Sequence, residues 1–244
     1  MNKNSNTYQI LYSAIMVVLV GAVLAVIYMN LKPLQDENIA NDKRKQILSA
    51  LHVVCDNDAD VKASYEKYII QDFLVDGNGA VVDSSANVAF DVQMKSNVKL
   101  DEASRKLPVM KCKVDDGSIK YVIPVYGAGL WGPIWGYVAV DSDGSNIYGA
   151  NFSHEGETPG LGARITEQSF QDSFKDKKLF VNGAFTNVEV VKKGQKPGND
   201  GDYVDALTGA TITSRGVSDM LKACLAPYQP FLETLQGANA KTQE

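Results

Sequence analysis

Residues 10–29 read ILYSAIMVVLVGAVLAVIYM, a run of about twenty residues without a charge. At about 1.5 Å of rise per residue, a helix of this length crosses the roughly 30 Å hydrocarbon layer of a bilayer; in water it would leave every face apolar. Tyr8, Tyr12 and Tyr28 fall near its two ends, where a ring with a polar tip suits the headgroup boundary, and Lys3 and Lys32 flank it. A cleaved signal peptide has a shorter apolar core and a small-x-small cleavage site, whereas this run ends in YMNLKPLQ, which has none. The sequence therefore predicts one transmembrane helix over residues 9–30 behind a short tail, residues 1–8. Lys43, Arg44 and Lys45 follow the span and, counted alone, favour a cytoplasmic domain, although long domains translocate largely regardless of such counts.

Beyond the span, the chain is long enough for one well-buried domain. The formal net charge of −5 argues against nucleic acid as a partner, because displacing counterions from phosphates takes clustered Lys and Arg. Cys55, Cys112 and Cys224 form no CxxC pair, so neither a zinc nor an iron–sulfur site can be assembled from this chain alone; one bridge between Cys55 and Cys112 stays open outside the cytoplasm. After Pro33, DENIANDKRKQILSAL alternates apolar and charged positions at helical spacing and reads as a juxtamembrane helix within a linker, residues 31–54. DADVKASYEKYI reads as a second helix capped by Asp58 or Asp60, and FLVDGNGAVV as a hairpin turning at its Asn-Gly. Residues 120–153 give strand, glycine-rich loop, strand, a turn at Asp143-Gly144 and strand, with antiparallel, hairpin-length connections. ITEQSFQDSFKD reads as a short helix, VNGAFTNVEVVKKG as a strand pair, and residues 214–225 as a last helix that stops before Pro227. The fold class is α+β: one N-terminal transmembrane helix, then a single soluble domain, residues 55–244, with a mainly antiparallel sheet and flanking helices.

Three stretches stand out chemically. DALTGATITSRGV, residues 205–217, gathers four hydroxyl side chains at a helix entrance. There the first free N–H groups and the dipole favour an anion, and Gly209 and Ala210 leave Thr211 open to close approach. A plain Thr or Ser N-cap explains one hydroxyl equally well. HEGETPGLGARI, residues 154–165, is forced into an irregular loop by Pro159, Gly160 and Gly162; it reads as an ordinary turn, or as exposed N–H groups for the carbonyls of a planar ring with Leu161 as an apolar face. YGAGLWGPIWGY, residues 126–137, interleaves aromatics and glycines; Trp135 and Tyr137 continue into the strand as core, while Trp131, on the loop, can stack on a ligand.

Together these stretches resemble the C subunit of the sodium-translocating NADH:quinone reductase, Nqr, over nearly the whole chain. DALTGAT matches the flavinylation signature Asp-x-x-Ser/Thr-Gly-Ala-Thr, and ETPGLG and YGAGLWG resemble that family's loops. The chain is similar, more distantly, to the G subunit of the Rnf ferredoxin:NAD oxidoreductase, and GLWG favours Nqr. The resemblance implies FMN joined through its phosphate to Thr211 by a Mg-dependent flavin transferase acting outside the cytoplasm, which sets the topology against the charge count. It further implies an inner-membrane, single-pass chain with its domain on the periplasmic side. Implied flavin-site residues are Thr208, Gly209, Ala210, Ile212 and Thr213 around Thr211, with Glu157, Thr158, Gly160, Leu161, Leu130 and Trp131. Asp205 serves the signature, and Arg215 adds charge one turn on. No residue is expected to be catalytic and none to bind metal; His154 and Glu155, in an order the family does not lead one to expect, are assigned no role. Implied partners are the A, B, D, E and F subunits of Nqr, the transferase and membrane lipid. Electrons would pass from a membrane iron centre through this FMN to the flavin of the B subunit and quinone as sodium is exported. An exported binding module with no redox role is the alternative from another class.

Overall fold

The uncharged run forms the first part of a 45-residue helix, α1 (Asn6–Ala50), in the computed structural model, which describes residues 5–55 and 57–240. Lys3 and the rest of residues 1–4 of the tail, with residues 241–244, lie outside the described residues. The chain divides into two units, Met1–Lys43 and Arg44–Glu244. In the first, an 18-residue window of α1 has mean hydropathy 2.8 and is wholly unburied, which fits a single-pass membrane anchor. α1 continues through Pro33, where the sequence suggested a boundary: the ring removes one backbone donor, and strong helix formers on both sides carry the helix past it.

The second unit begins at Arg44 rather than at Cys55, because the last turn of α1 brings Ile47, Leu48 and Ala50, with Leu51 after it, into the core. Its elements run in order: α2 (Asp58–Tyr68), β1 (Ile69–Val75), β2 (Val81–Asp83), α3 (Met94–Asn97), β3 (Leu107–Lys113), β4 (Ile119–Ala128), β5 (Pro133–Asp141), β6 (Ile147–His154), α4 (Gln168–Asp172), β7 (Phe180–Val181), β8 (Ala184–Phe185), β9 (Glu189–Val191), β10 (Tyr203–Asp205), α5 (Thr211–Leu225) and α6 (Gln229–Ala240). Six strands make an antiparallel sheet in the order β2-β1-β3-β4-β5-β6. The turn at Asn78-Gly79 forms as read, with Asp76 Oδ1 accepting the N–H groups of Asn78 and Ala80.

Alternation along the central strands builds two cores. Ile123, Val125, Ile134, Val138 and Val140 face one side, and Val122, Tyr137 and Ala139 the other. The second side is covered by the end of α1 and by Val61, Tyr65 and Tyr68 of α2. The first is covered by α5 and α6. In α5, Val217, Met220, Leu221, Cys224 and Leu225 recur at helical spacing and are buried, and the buried Tyr228 O–H donates to the Pro108 carbonyl at 3.0 Å. α5 lies so close to the end of β4 that a Cβ at Gly216 would strike the Ala128 carbonyl. This contact fixes the start of α5 beside the loop after β4.

Several boundaries differ from the sequence reading. α5 starts at Thr211, three residues ahead of Ser214, and α6 follows Pro227, which opens a short 3-10 turn instead of ending the helical region. α2 is preceded by Asn57 and has no side-chain cap, with Asp58 and Asp60 in its first turn. β3 falls in a stretch with no strand assigned, and β9 pairs with β10 in parallel rather than closing a hairpin; β7 and β8 form that hairpin. Cys55 and Cys112 are not bridged: all three thiols are free, and Cys112 is fully buried against the sheet.

Candidate functional site

β10 leads through residues 206–210 into α5. Leu207 accepts the Ala210 N–H at 3.0 Å, closing a turn whose third residue, Gly209, has φ +80°. A type II turn demands that positive φ, and glycine supplies it without a steric penalty. The four hydroxyls then divide by direction. Thr213 and Ser214 are buried: Ser214 Oγ accepts the Leu207 N–H at 3.1 Å and braces the turn, while Thr213 O–H points at Glu157. Thr208 and Thr211 are exposed. α5 has Ala210 as its N-cap residue, and among the described residues no side chain caps it. The plain capping role of these hydroxyls is thus not used, and the first N–H groups of a 15-residue helix stand beside an open Thr211 hydroxyl.

On the three segments that meet at the start of α5, four large apolar side chains form an open rim: Trp131 is 70% exposed, Ile212 58%, Leu130 46% and Leu161 43%. Aromatic and branched side chains left this open beside a polar anchor suit the faces of a flat ring. Two grooves flank the Asp205–Thr211 stretch. One, of about 560 Å³, is lined by Asp205, Leu207 and Thr208 with Arg164 and Tyr203; the other, of about 780 Å³, is lined by Thr211, Arg215, Ser218 and Lys222 of α5 with Asn187 and Val190.

Beneath the rim sits Glu157, 4% exposed. Its Oε1 accepts the Trp131 N–H at 2.9 Å, and its Oε2 accepts the Thr213 O–H at 2.6 Å. Burial alone would raise the carboxyl pKa, but the Thr213 hydroxyl and the Trp131 and Leu130 N–H groups together hold it below the usual carboxylate value. Both neighbouring loops close on the carboxylate through glycine, since a Cβ at Gly129 or Gly162 would collide with it. His154 Nδ1 accepts the Glu157 N–H at 3.2 Å, which supplies a local role for that ring; Glu155 is exposed.

Glu157 ties the Trp131 loop to Thr213 at the start of α5, and the expected site residues divide into an exposed and a buried set. Thr208, Gly209, Thr211, Ile212, Leu130, Trp131, Thr158, Gly160 and Leu161 lie at the surface, and Ala210, Thr213 and Glu157 lie beneath. Asp205 is exposed at the end of β10. Sequence reasoning gave Gly129 no role, counted Ser214 only among the hydroxyls at the helix entrance, and read Gly162 only as a residue that forces the loop. The helical spacing of Thr213 and Ser214 with Val217 is the signal that would have turned both hydroxyls inward.

An uncapped helix start beside an exposed hydroxyl suits a phosphate group, and the family model described as FMN-binding domain matches residues 129–226, so the chain carries an FMN-binding domain. The chain belongs to the family of the C subunit of the Na(+)-translocating NADH-quinone reductase. It is 32% identical over 242 residues to that protein from Neisseria meningitidis serogroup B, covering 92% of this chain and 90% of the relative. It is 33% identical to the relative from Chlamydia muridarum over 186 residues, which span 70% of this chain and 57% of that longer protein. The crystal structure of the C subunit from Parabacteroides distasonis is similar at 44% identity and a TM-score of 0.76, covering 83% of this chain and 96% of that one. Of the two oxidoreductases the sequence resembles, membership selects Nqr.

Proposed function

We propose that Thr211 carries FMN through a phosphoester and that the chain serves as an electron-carrying subunit of a sodium-exporting NADH:quinone reductase. The observation that carries this reading is the exposed Thr211 hydroxyl at the uncapped start of α5, with the open apolar side chains of Leu130, Trp131, Leu161 and Ile212 on the segments that meet there. Bound FMN supplies one- and two-electron redox chemistry, and the chain's part is to hold and tune it. Trp131, Leu130, Leu161 and Ile212 would shield the ring from water. The first N–H groups of α5, with Arg215 one turn on, would hold the phosphodiester's remaining charge. Thr158 and Gly160 present loop backbone to the ring edge, and Thr208, Gly209 and Ala210 keep the approach to Thr211 narrow in side-chain bulk.

Attachment needs help from outside. An alcohol is a poor nucleophile near neutral pH, and no cluster among the described residues could hold a metal ion. A Mg-dependent transferase supplies metal and base: the Thr211 oxygen bonds to the flavin phosphorus as a pyrophosphate P–O bond breaks, and the hydroxyl proton passes to the transferase's base. Asp205, at the edge of the neighbouring groove, is placed for recognition by that enzyme. The transferase acts outside the cytoplasm, so the domain lies on the periplasmic side of the inner membrane, with residues 9–30 crossing it and residues 1–8 inside. In the complex with the A, B, D, E and F subunits, electrons arrive from a membrane iron centre and leave toward the flavin of the B subunit and quinone.

The test is direct. Full-length chain coexpressed with the transferase is denatured, separated on a gel and viewed under ultraviolet light. A flavin-fluorescent band that disappears in Thr211→Ala is expected; a colourless wild-type band overturns the reading.

A further inference from the structure

The buried carboxylate of Glu157 joins three segments that are distant in sequence. It accepts the N–H of Trp131 from the loop between β4 and β5, belongs itself to the loop after β6, and accepts the hydroxyl of Thr213 from the first turn of α5. Each segment also contributes a group to the rim: Trp131 from the first, Leu161 from the second, Thr211 and Ile212 from the third. The absence of side chains at Gly129 and Gly162 is what lets the two loops close on the carboxylate.

We infer that Glu157 is the positioning residue of the flavin site, its carboxylate holding the Trp131 and Leu161 loops at a fixed distance from Thr211 so that a ring esterified there is stacked rather than loosely tethered. This rests on the reading of Thr211 as the attachment point. A buried carboxylate bonded by donors from two other segments is costly to vacate, because the buried Thr213 hydroxyl loses its partner without regaining water and the Trp131 N–H loses the bond that ties its loop. The frame is therefore rigid where it meets the ring, although the rim itself is open to solvent. Alanine at position 157 strands the Trp131 N–H and the Thr213 hydroxyl together; glutamine keeps one acceptor oxygen and the shape.

Native flavin fluorescence per covalently bound flavin reads the stacking, since an aromatic face held against the ring quenches its emission. It is measured on full-length chains coexpressed with the transferase: wild type, Glu157→Ala, Glu157→Gln, Trp131→Ala and the Trp131→Ala/Glu157→Ala double variant. Expected is a severalfold rise in Glu157→Ala, a smaller rise in Glu157→Gln, and a double variant no brighter than Trp131→Ala alone. Emission of Glu157→Ala equal to wild type, or an equal further rise on the Trp131→Ala background, overturns the inference. If Glu157→Ala takes up no flavin, Thr213→Val, which removes one donor and keeps the volume, replaces it in the same series. If neither takes up flavin, Glu157 serves attachment or folding rather than ring placement, and the inference is wrong. Wild-type chain without flavin overturns the reading of Thr211 itself, an outcome distinct from all of these.

Discussion

Two regions of this molecule leave large apolar side chains in the open: the face-less run at residues 10–29 and the small rim of Leu130, Trp131, Leu161 and Ile212. The polar chemistry alongside separates them. In the span, backbone groups are satisfied within the helix and apolar side chains point in every direction, as a surrounding hydrocarbon solvent requires. At the rim, four open apolar side chains stand on segments that meet at a helix start without a cap and with an exposed hydroxyl, joined by a carboxylate whose oxygens are both engaged. The first surface accepts any lipid tail. The second sets its apolar side chains near an open hydroxyl, the combination on which the proposed flavin attachment rests. Exposure alone does not distinguish the two; the placement of polar atoms does.

The largest expected effect breaks the rim and leaves the span alone. Thr211→Ala abolishes covalent flavin, whereas Thr208→Ala, also exposed, keeps it; in-gel fluorescence of the pair decides whether one hydroxyl or the general openness of the turn matters. The complementary change breaks the span. Leu19→Arg near its centre costs about 3–4 kcal/mol of insertion, and alkaline extraction of membranes should move a large fraction of the chain to the soluble pool. Unchanged membrane retention would mean that the run is not the anchor.

Smaller changes sharpen the contrast between the open rim and its buried frame. Ser214→Ala leaves the Leu207 N–H without its acceptor and should cost about 1–3 kcal/mol, read as a lower urea midpoint of the domain. Protonation of Glu157 acts in the same sense. Its folded pKa is lowered, so its stabilising contribution is complete above the unfolded value of about 4.3 and is lost as pH falls through the folded value. Urea midpoints taken from pH 7 down to pH 3 should fall more steeply for wild type than for Glu157→Gln, and parallel curves would contradict the assigned shift. Trp131→Ala should change stability by no more than about 0.5 kcal/mol, because that side chain is largely in solvent, while altering the emission of bound flavin.

The same contrast explains what the sequence revealed. The span is legible because its signal is local and repeated over every residue. The Asn78-Gly79 turn, the β4-β5-β6 meander and the core face of α5 are legible because turn residues and periodicity lie within one window. The proposal of Thr211 rests on a short contiguous signature. β3 was missed although it is central, since Pro108 and buried residues on both faces mask its alternation. α6 was missed because Pro227 was read as an ending, while proline near a helix start is equally favourable. The frame around Glu157 could not be read at all: Trp131 lies 26 residues from it and Thr213 lies 56 away, and no local pattern reports that their donors share one carboxylate.

The mass of the protein isolated from its own cell membrane tests the account most directly. Proteolysis and tandem mass spectrometry should find the peptide that contains residues 205–215 heavier by one FMN less one water, with the added mass on Thr211. An unmodified peptide recovered from flavin-replete cells that make the transferase, or the same mass on a different side chain, would contradict the account.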